Sequence, residues 1–123
     1  MNELYFADTY SLFEIIGGNQ KYAKFVRLVE IITTRLNLME LYYGLLMKYN
    51  EEIADAYYSV YLPRAVNFSD YTIKRAMKFR LANKEKKLSY IDCVGYQTAL
   101  ENRVKFLTGD KAFNEIPNVE FVK

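Results

Sequence analysis

The sequence predicts an α/β domain whose central sheet is parallel and covered by helices on both faces. Three observations predict it. Short, nearly continuous apolar runs recur at Leu4-Tyr5-Phe6-Ala7, from Val29 to Thr34, from Val104 to Thr108 and from Val119 to Val122, with the length and β-branched or aromatic content of buried strands. Segments with apolar residues three and four apart alternate with these runs, as helices laid over a parallel sheet require. No linker, repeat or low-complexity stretch divides the 123 residues, so a single domain over residues 1–123 is expected. A composition of 51% hydrophobic and 26% charged residues, with 5 Gly and 2 Pro, excludes disordered and fibrous architectures.

Each element has a local reason. The first run ends at Asp8, where Asp8 and Thr9 suit a helix N-cap. Leu12, Phe13, Ile15 and Ile16 then form an apolar face that Gly17-Gly18 stops. After the second strand, Asn37-Leu38-Met39-Glu40 has the spacing of a capping box, so a helix is expected to open at Asn37. Leu38, Leu41, Tyr42, Leu45, Leu46 and Tyr49 form its apolar face. Another helix runs from about Glu51 to Tyr61 and stops before Pro63. The segment Arg64 to Phe68 reads as a short strand. Ser69-Asp70 opens a basic helix whose expected apolar face carries Tyr71, Ile73, Ala76, Met77 and Leu81. Ser89-Tyr90-Ile91-Asp92 repeats the capping-box spacing and leads into a helix through Val94, Ala99 and Leu100. The third strand ends at Gly109-Asp110, and the Pro117-Asn118 turn precedes the last strand.

What is missing narrows the chemistry. With no histidine, Ser-His-Asp and Cys-His catalysis, histidine acid–base work and His-ligated zinc are excluded. The single cysteine, Cys93, forms no intrachain disulfide and no Cys-rich metal site. It sits among apolar residues as a small buried hydrophobe, and its isolation suits a reducing cytoplasm. The start at Asn2 and Glu3 has no basic leader region and the chain has no long uncharged apolar stretch, so neither a signal peptide nor a membrane span is expected.

The net charge of +2 is unevenly spread. From Arg64 to Lys87, eight basic residues face only Asp70 and Glu85, a local excess of +6 that leaves −4 for the rest. The plain reading of such a run is a solvated helix face; the functional one is a surface that meets phosphates.

Four acids share a positional logic. Asp8 ends the first strand, Glu40 stands in the first turn after the second, Asp92 opens a late helix, and Asp110 ends the strand that follows. Open parallel sheets collect ligands at the carboxyl ends of their strands. Each acid also has a local explanation as a cap or turn residue. Gathered at one edge, however, they repel one another unless a cation neutralises them. An all-oxygen set suits hard Mg²⁺ or Mn²⁺.

Four segments carry a family resemblance: Tyr5-Phe6-Ala7-Asp8-Thr9, Asn37-Leu38-Met39-Glu40-Leu41, Tyr90-Ile91-Asp92-Cys93 and Leu107-Thr108-Gly109-Asp110-Lys111-Ala112-Phe113. In order and spacing they resemble the signature segments of PIN-domain nucleases, above all the VapC-type toxins, from about residue 3 to 122. The family's helix usually continues in small residues after its third acid; here it reads Cys93-Val94-Gly95-Tyr96.

The resemblance implies a three-layer α/β/α fold with a mostly parallel central sheet and a Mg²⁺- or Mn²⁺-dependent ribonuclease. Asp8, Glu40, Asp92 and Asp110 would be its acidic quartet and metal ligands. Thr108 matches the hydroxyl residue before the last acid, where it would orient a carboxylate or the attacking water. Water would attack a phosphodiester in line, leaving a 5′-phosphate and a 3′-hydroxyl. The resemblance also implies a cognate antitoxin and a homodimer.

Beside such an acidic site, Arg75, Lys78, Arg80, Lys84, Lys86 and Lys87 become candidates for contacting RNA. Tyr42, Tyr57, Tyr58, Tyr61 and Tyr71 read as core or interface residues; Tyr42, Tyr43, Tyr57, Tyr58 and Tyr61 are also candidates for a dimer seam or antitoxin groove. Two other readings stand beside the nuclease. One is a PIN-like module that binds RNA or protein without cutting. The other is a Mg²⁺-binding receiver domain, against which the single Asp8 followed by Thr9, and a last strand without the expected Lys pattern, both count.

Overall fold

Alternation of side chains along two short central strands decides the architecture. The structure, a computed structural model, describes residues 3–27 and 29–123; Met1, Asn2 and Leu28 lie outside it. Its strands are β1 (Glu3–Ala7), β2 (Val29–Ile32), β3 (Lys105–Thr108) and β4 (Val119–Phe121). They form one sheet in the order β2-β1-β3-β4, and every pairing is parallel. In β1, Tyr5 and Ala7 point to one core and Phe6 to the other; in β3, Leu107 and Phe106 divide the same way. Both faces are thus apolar, as a parallel sheet buried on two sides demands.

The first face is covered by α1 (Thr9–Ile16), α2 (Ala23–Arg27), α3 (Arg35–Lys48) and α4 (Glu51–Tyr61). Leu12, Phe25, Leu38, Leu41, Leu45 and Ala54 bury there. Tyr42, Tyr57, Tyr58 and Tyr61 pack half-buried around them, so these tyrosines are core residues as expected. The second face is covered by α5 (Asp70–Ala82) and α6 (Tyr90–Glu101), with Ala76, Cys93, Val94, Tyr96, Ala99 and Phe113 inside. Here Phe106 stacks on Phe6 at 5.6 Å and lies 4.7 Å from Phe113 between ring centroids, a geometry that adds to simple burial. The result is a three-layer α/β/α fold, as the sequence predicts.

Three local expectations fail, each for a definite reason. The helix after β2 opens at Arg35, because Thr34 takes the cap position and its hydroxyl accepts the Asn37 N–H at 3.3 Å. Asn37 is therefore inside the first turn, and Asn37 and Glu40 make no capping box. Arg64 to Phe68 forms no strand: after the 3-10 turn Leu62–Arg64 it meets the chain beyond β2 only at Thr33, through one parallel bridge from Ala65 and the bonds of Arg64 and Val66 that flank it. The basic helix α5 buries Thr72 and Ala76, with Met77 and Phe79 half-buried, whereas Tyr71, Ile73 and Leu81 face outward. The residues 20–27, which no apolar pattern marks, form a 3-10 turn at Gln20–Tyr22 and then α2, started by Asn19, whose side chain accepts the Lys21 N–H.

Phe106→Ala is expected to lower unfolding free energy by about 3–5 kcal/mol, because it empties the centre of the second core. Tyr71→Ala, on the outer side of α5, is expected to change it by no more than about 0.5 kcal/mol. Urea unfolding followed by circular dichroism checks both.

Candidate active site

The four acids stand at the edge formed by the carboxyl ends of β1, β2 and β3. Asp8 directly follows β1, Asp110 lies two residues beyond β3, and Glu40 sits in α3, which leaves β2. Asp92 belongs to α6, which packs on β1 and β3 and runs back to begin β3, so its first turn stands over the same edge.

Asp8 is the centre. The β1–β3 register, Ala7 opposite Leu107, sets Asp8 beside Thr108, whose hydroxyl donates to the Asp8 carboxylate at 2.5 Å. The Ser11 N–H donates to its other oxygen at 2.8 Å, the N-cap bond of α1. Asp8 is only 2% exposed. Burial raises its pKa to about 7, although the Thr108 and Ser11 hydrogen bonds pull it down; the charge of Asp92 adds a smaller upward push.

Thr108 also ties in the last acid. Its Oγ1 accepts the Asp110 N–H at 3.0 Å, and Asp110 caps the turn Lys111–Phe113 by accepting the Ala112 N–H. One hydroxyl therefore bridges Asp8 to the backbone that carries Asp110.

Glu40 is reached differently. The Thr9 hydroxyl donates to Glu40 Oε1 at 2.6 Å while accepting Asn37 Nδ2 at 3.2 Å, and Thr34 in turn donates to Asn37 Oδ1. Partial burial raises the Glu40 pKa, with the Thr9 hydrogen bond opposing and the charge of Asp92 adding to it. Asp92 accepts the Ser89 N–H at 3.2 Å in the capping box of α6. Burial raises its pKa too, opposed by the Ser89 hydrogen bonds and helped by the charge of Asp110.

The acids therefore feel one another through Asp92, yet among the described residues no three His, Cys, Asp or Glu side chains close into a metal-holding group. As donors they fit a hard divalent cation: all are carboxylates, and Asp8 is buried where a lone negative charge is costly. Asp8 and Thr108 form one arm and Glu40 with Thr9 another, while Asp92 stands between them electrostatically.

The PIN domain family model matches residues 5–119. The chain belongs to the PIN domain family. Among solved structures it is similar to a chain of a toxin–antitoxin complex from Klebsiella pneumoniae, with 21% identity, a TM-score of 0.77 and coverage of 97% of this chain and 98% of that one. It is also similar to a chain of VapBC2 from Rickettsia felis bound to a promoter DNA fragment, with 20% identity, a TM-score of 0.73 and 96% of each chain covered. A third is from DNA-bound VapBC of Salmonella typhimurium: 17% identity, TM-score 0.71, 98% of this chain and 97% of that one. No curated protein sequence matches.

The six basic residues expected to contact RNA lie on α5, in the turn Lys84–Lys86 after it and at Lys87, which caps that turn. Arg75, Lys78, Lys84 and Lys87 are exposed and Lys86 is half-buried. Arg80 is held in place: its Nε donates to the Leu88 carbonyl at 2.9 Å. Among the described residues, no helix is long and apolar enough to cross a membrane.

Sequence reasoning singled out the acids and Thr108 but missed the groups that hold them: Thr9, Asn37, Thr34, Ser11 and Gly109. A Cβ on Gly109 would lie 2.4 Å from the Tyr10 ring and 2.8 Å from the Tyr22 hydroxyl, so the chain between Thr108 and Asp110 passes where a side chain has no room. Only the Thr33-Thr34 pair ahead of a helical pattern gave a local signal of this support.

Two outcomes test this geometry in the metal-free protein. Asp8 has a folded pKa above its unfolded one, so the folded state holds its proton more tightly. Its contribution to stability is full below about pH 4 and is lost as pH rises through about 7. Thermal scans should show Asp8→Asn melting higher than the parent at pH 8, by about 5 °C, and nearly level with it at pH 4. Gly109→Ala should cost about 1–3 kcal/mol in urea unfolding, as overpacking does.

Proposed function

We propose that this PIN domain is a metal-dependent endoribonuclease and the toxin half of a toxin–antitoxin pair, working as a single domain over residues 1–123. The observation that carries the proposal is the set of four acids at one sheet edge, with Asp8 buried and its pKa raised to about 7. The similar structures are chains of toxin–antitoxin and VapBC complexes, which supports the toxin role. They also support a small antitoxin protein as partner. A homodimer and a cytoplasmic setting follow from the same reading.

Asp8, Glu40, Asp92 and Asp110 would hold Mg²⁺ or Mn²⁺. When bound, such an ion lowers the pKa of water and neutralises charge gathering on the phosphate, which lets hydrolysis proceed without histidine. The protein's own residues do the positioning. Thr108 donates to Asp8, which orients that carboxylate and favours its charged form against the upward push of burial. Thr9 does the same for Glu40. Asp92 and Asp110 complete an anionic edge that a cation relieves, and Arg75, Lys78, Arg80, Lys84, Lys86 and Lys87 offer the compensating positive field for RNA.

One observation favours a second reading, a PIN domain that binds RNA without cutting it: the acids do not close into a metal-holding group among the described residues. Incubation with single-stranded RNA and Mn²⁺ or Mg²⁺ separates the two. Cleavage that EDTA abolishes is the expected result. Asp8→Asn and Asp110→Asn are each expected to slow it by about 10²–10³-fold, and Thr108→Val by about 10–100-fold, as loss of a ligand-orienting group does. Full activity in either Asn variant would overturn the assignment of the acids.

A further inference from the structure

Tyr90 is 65% exposed at the first position of α6. Exposure of one aromatic ring is ordinary on a protein surface; what surrounds this one is not. The Arg80 guanidinium lies 4.5 Å from the ring centroid, within the range of a cation–π contact. Arg80 does not wander, because its Nε is tied to the Leu88 carbonyl, two residues before the ring, at 2.9 Å. One side of Tyr90 is thus backed by a fixed, planar cation, and the rest is open to solvent.

The neighbourhood is polarised along the chain. Lys84, Lys86 and Lys87 precede the ring, opposed only by Glu85, and Lys87 turns the backbone with a positive φ of 56°. Asp92 follows two residues after it, with its side chain on the Ser89 N–H. Within nine residues the surface passes from cations, over an exposed aromatic ring, to one of the four acids.

We propose that Tyr90, backed by Arg80, is a stacking platform for an unpaired nucleobase of the RNA, with the backbone of that strand on Lys84, Lys86 and Lys87. The proposal rests on the RNA reading above and deepens it. Every base offers a flat π-face, and an exposed ring stiffened from behind loses little freedom when a base covers it. A base inside a duplex has already spent both faces, so the platform selects single-stranded or looped RNA. Arg80, expected from the sequence to meet phosphate, is on this account a positioning residue for the ring.

The chain has no tryptophan, so Tyr90→Trp introduces a sole indole at the platform. Titration with a single-stranded oligoribonucleotide in EDTA, where cutting is stopped, should quench that fluorescence saturably, and a duplex of the same sequence should quench it far less. By anisotropy with a labelled oligonucleotide, Tyr90→Ala should weaken binding about tenfold and Tyr90→Phe hardly at all. With Mn²⁺, Tyr90→Ala should raise KM more than it lowers kcat. Absent quenching and unchanged Tyr90→Ala affinity, in a protein that still cleaves RNA, would overturn the platform and leave the ribonuclease intact. Quenching without cleavage by the parent would uphold the platform and overturn the nuclease. Neither binding nor cleavage would overturn both.

Discussion

A single hydrogen bond between neighbouring strands, from Thr108 to Asp8, is what the acidic edge depends on. It exists because β1 and β3 pair in parallel with Ala7 opposite Leu107, which puts the residues after both strands side by side. The Asp8 N–H donates to the Leu107 carbonyl as the pairing runs out. The carboxylate therefore sits at the mouth of a sheet buried on both faces. Burial raises its pKa to about 7 even with two hydrogen bonds holding the charged form, so desolvation outweighs hydrogen bonding there. A carboxylate held in such a place suits the cation proposed for this edge.

The packing around the bond leaves it little freedom. Phe6, Phe106, Tyr96 and Phe113 lock one face of β1 and β3 through ring contacts of 4.7–5.9 Å. On the same side Gly95 lets α6 approach: a Cβ there would lie 3.0 Å from the Phe6 ring. On the opposite side Tyr22 is buried with its hydroxyl unpartnered among the described residues, a state that costs about 1–3 kcal/mol. That hydroxyl lies against Gly109, in the turn that carries Asp110. Among the described residues it is the one buried side-chain polar atom without a partner, and it lies beside the acids.

What neighbours in sequence decide is legible in this chain, and what distant residues decide is not. Nearly continuous apolar runs of four to six residues mark the strands, since a strand buried on both faces needs no alternation to be seen. The ends of α4 and the capping box of α6 depend on neighbours in sequence and came out as expected. The start of α3 differs from the expected one because Thr34 and Asn37 are both good caps, and it is the Thr34 hydroxyl that accepts the Asn37 N–H. The face of α5 was misjudged for a different reason. Bulky Tyr71, Ile73 and Leu81 dominate a hydrophobicity pattern, but α5 lies against α6 through small Ala76 and through Thr72, whose hydroxyl donates to Glu101. In the candidate site, acid identity was visible and acid support was not. Thr9 meets Glu40 across 31 residues and Thr108 meets Asp8 across 100, distances in sequence that no local pattern spans.

The charge split takes its meaning from this geometry. An edge built from four carboxylates repels the polyanion it is proposed to cut, so attraction must come from an adjoining surface. The segment that carries the +6 excess runs along α5, turns through Lys84–Lys86 and delivers the chain to the first turn of α6, where Asp92 stands. Asp92 is also the acid whose charge acts on both Asp8 and Glu40. The basic surface and the acidic edge are therefore joined through one helix start. On the proposed function, a strand drawn to the lysines would be led along the backbone toward the acids, and the absence of histidine would leave those acids, with a cation, as the groups to act on it.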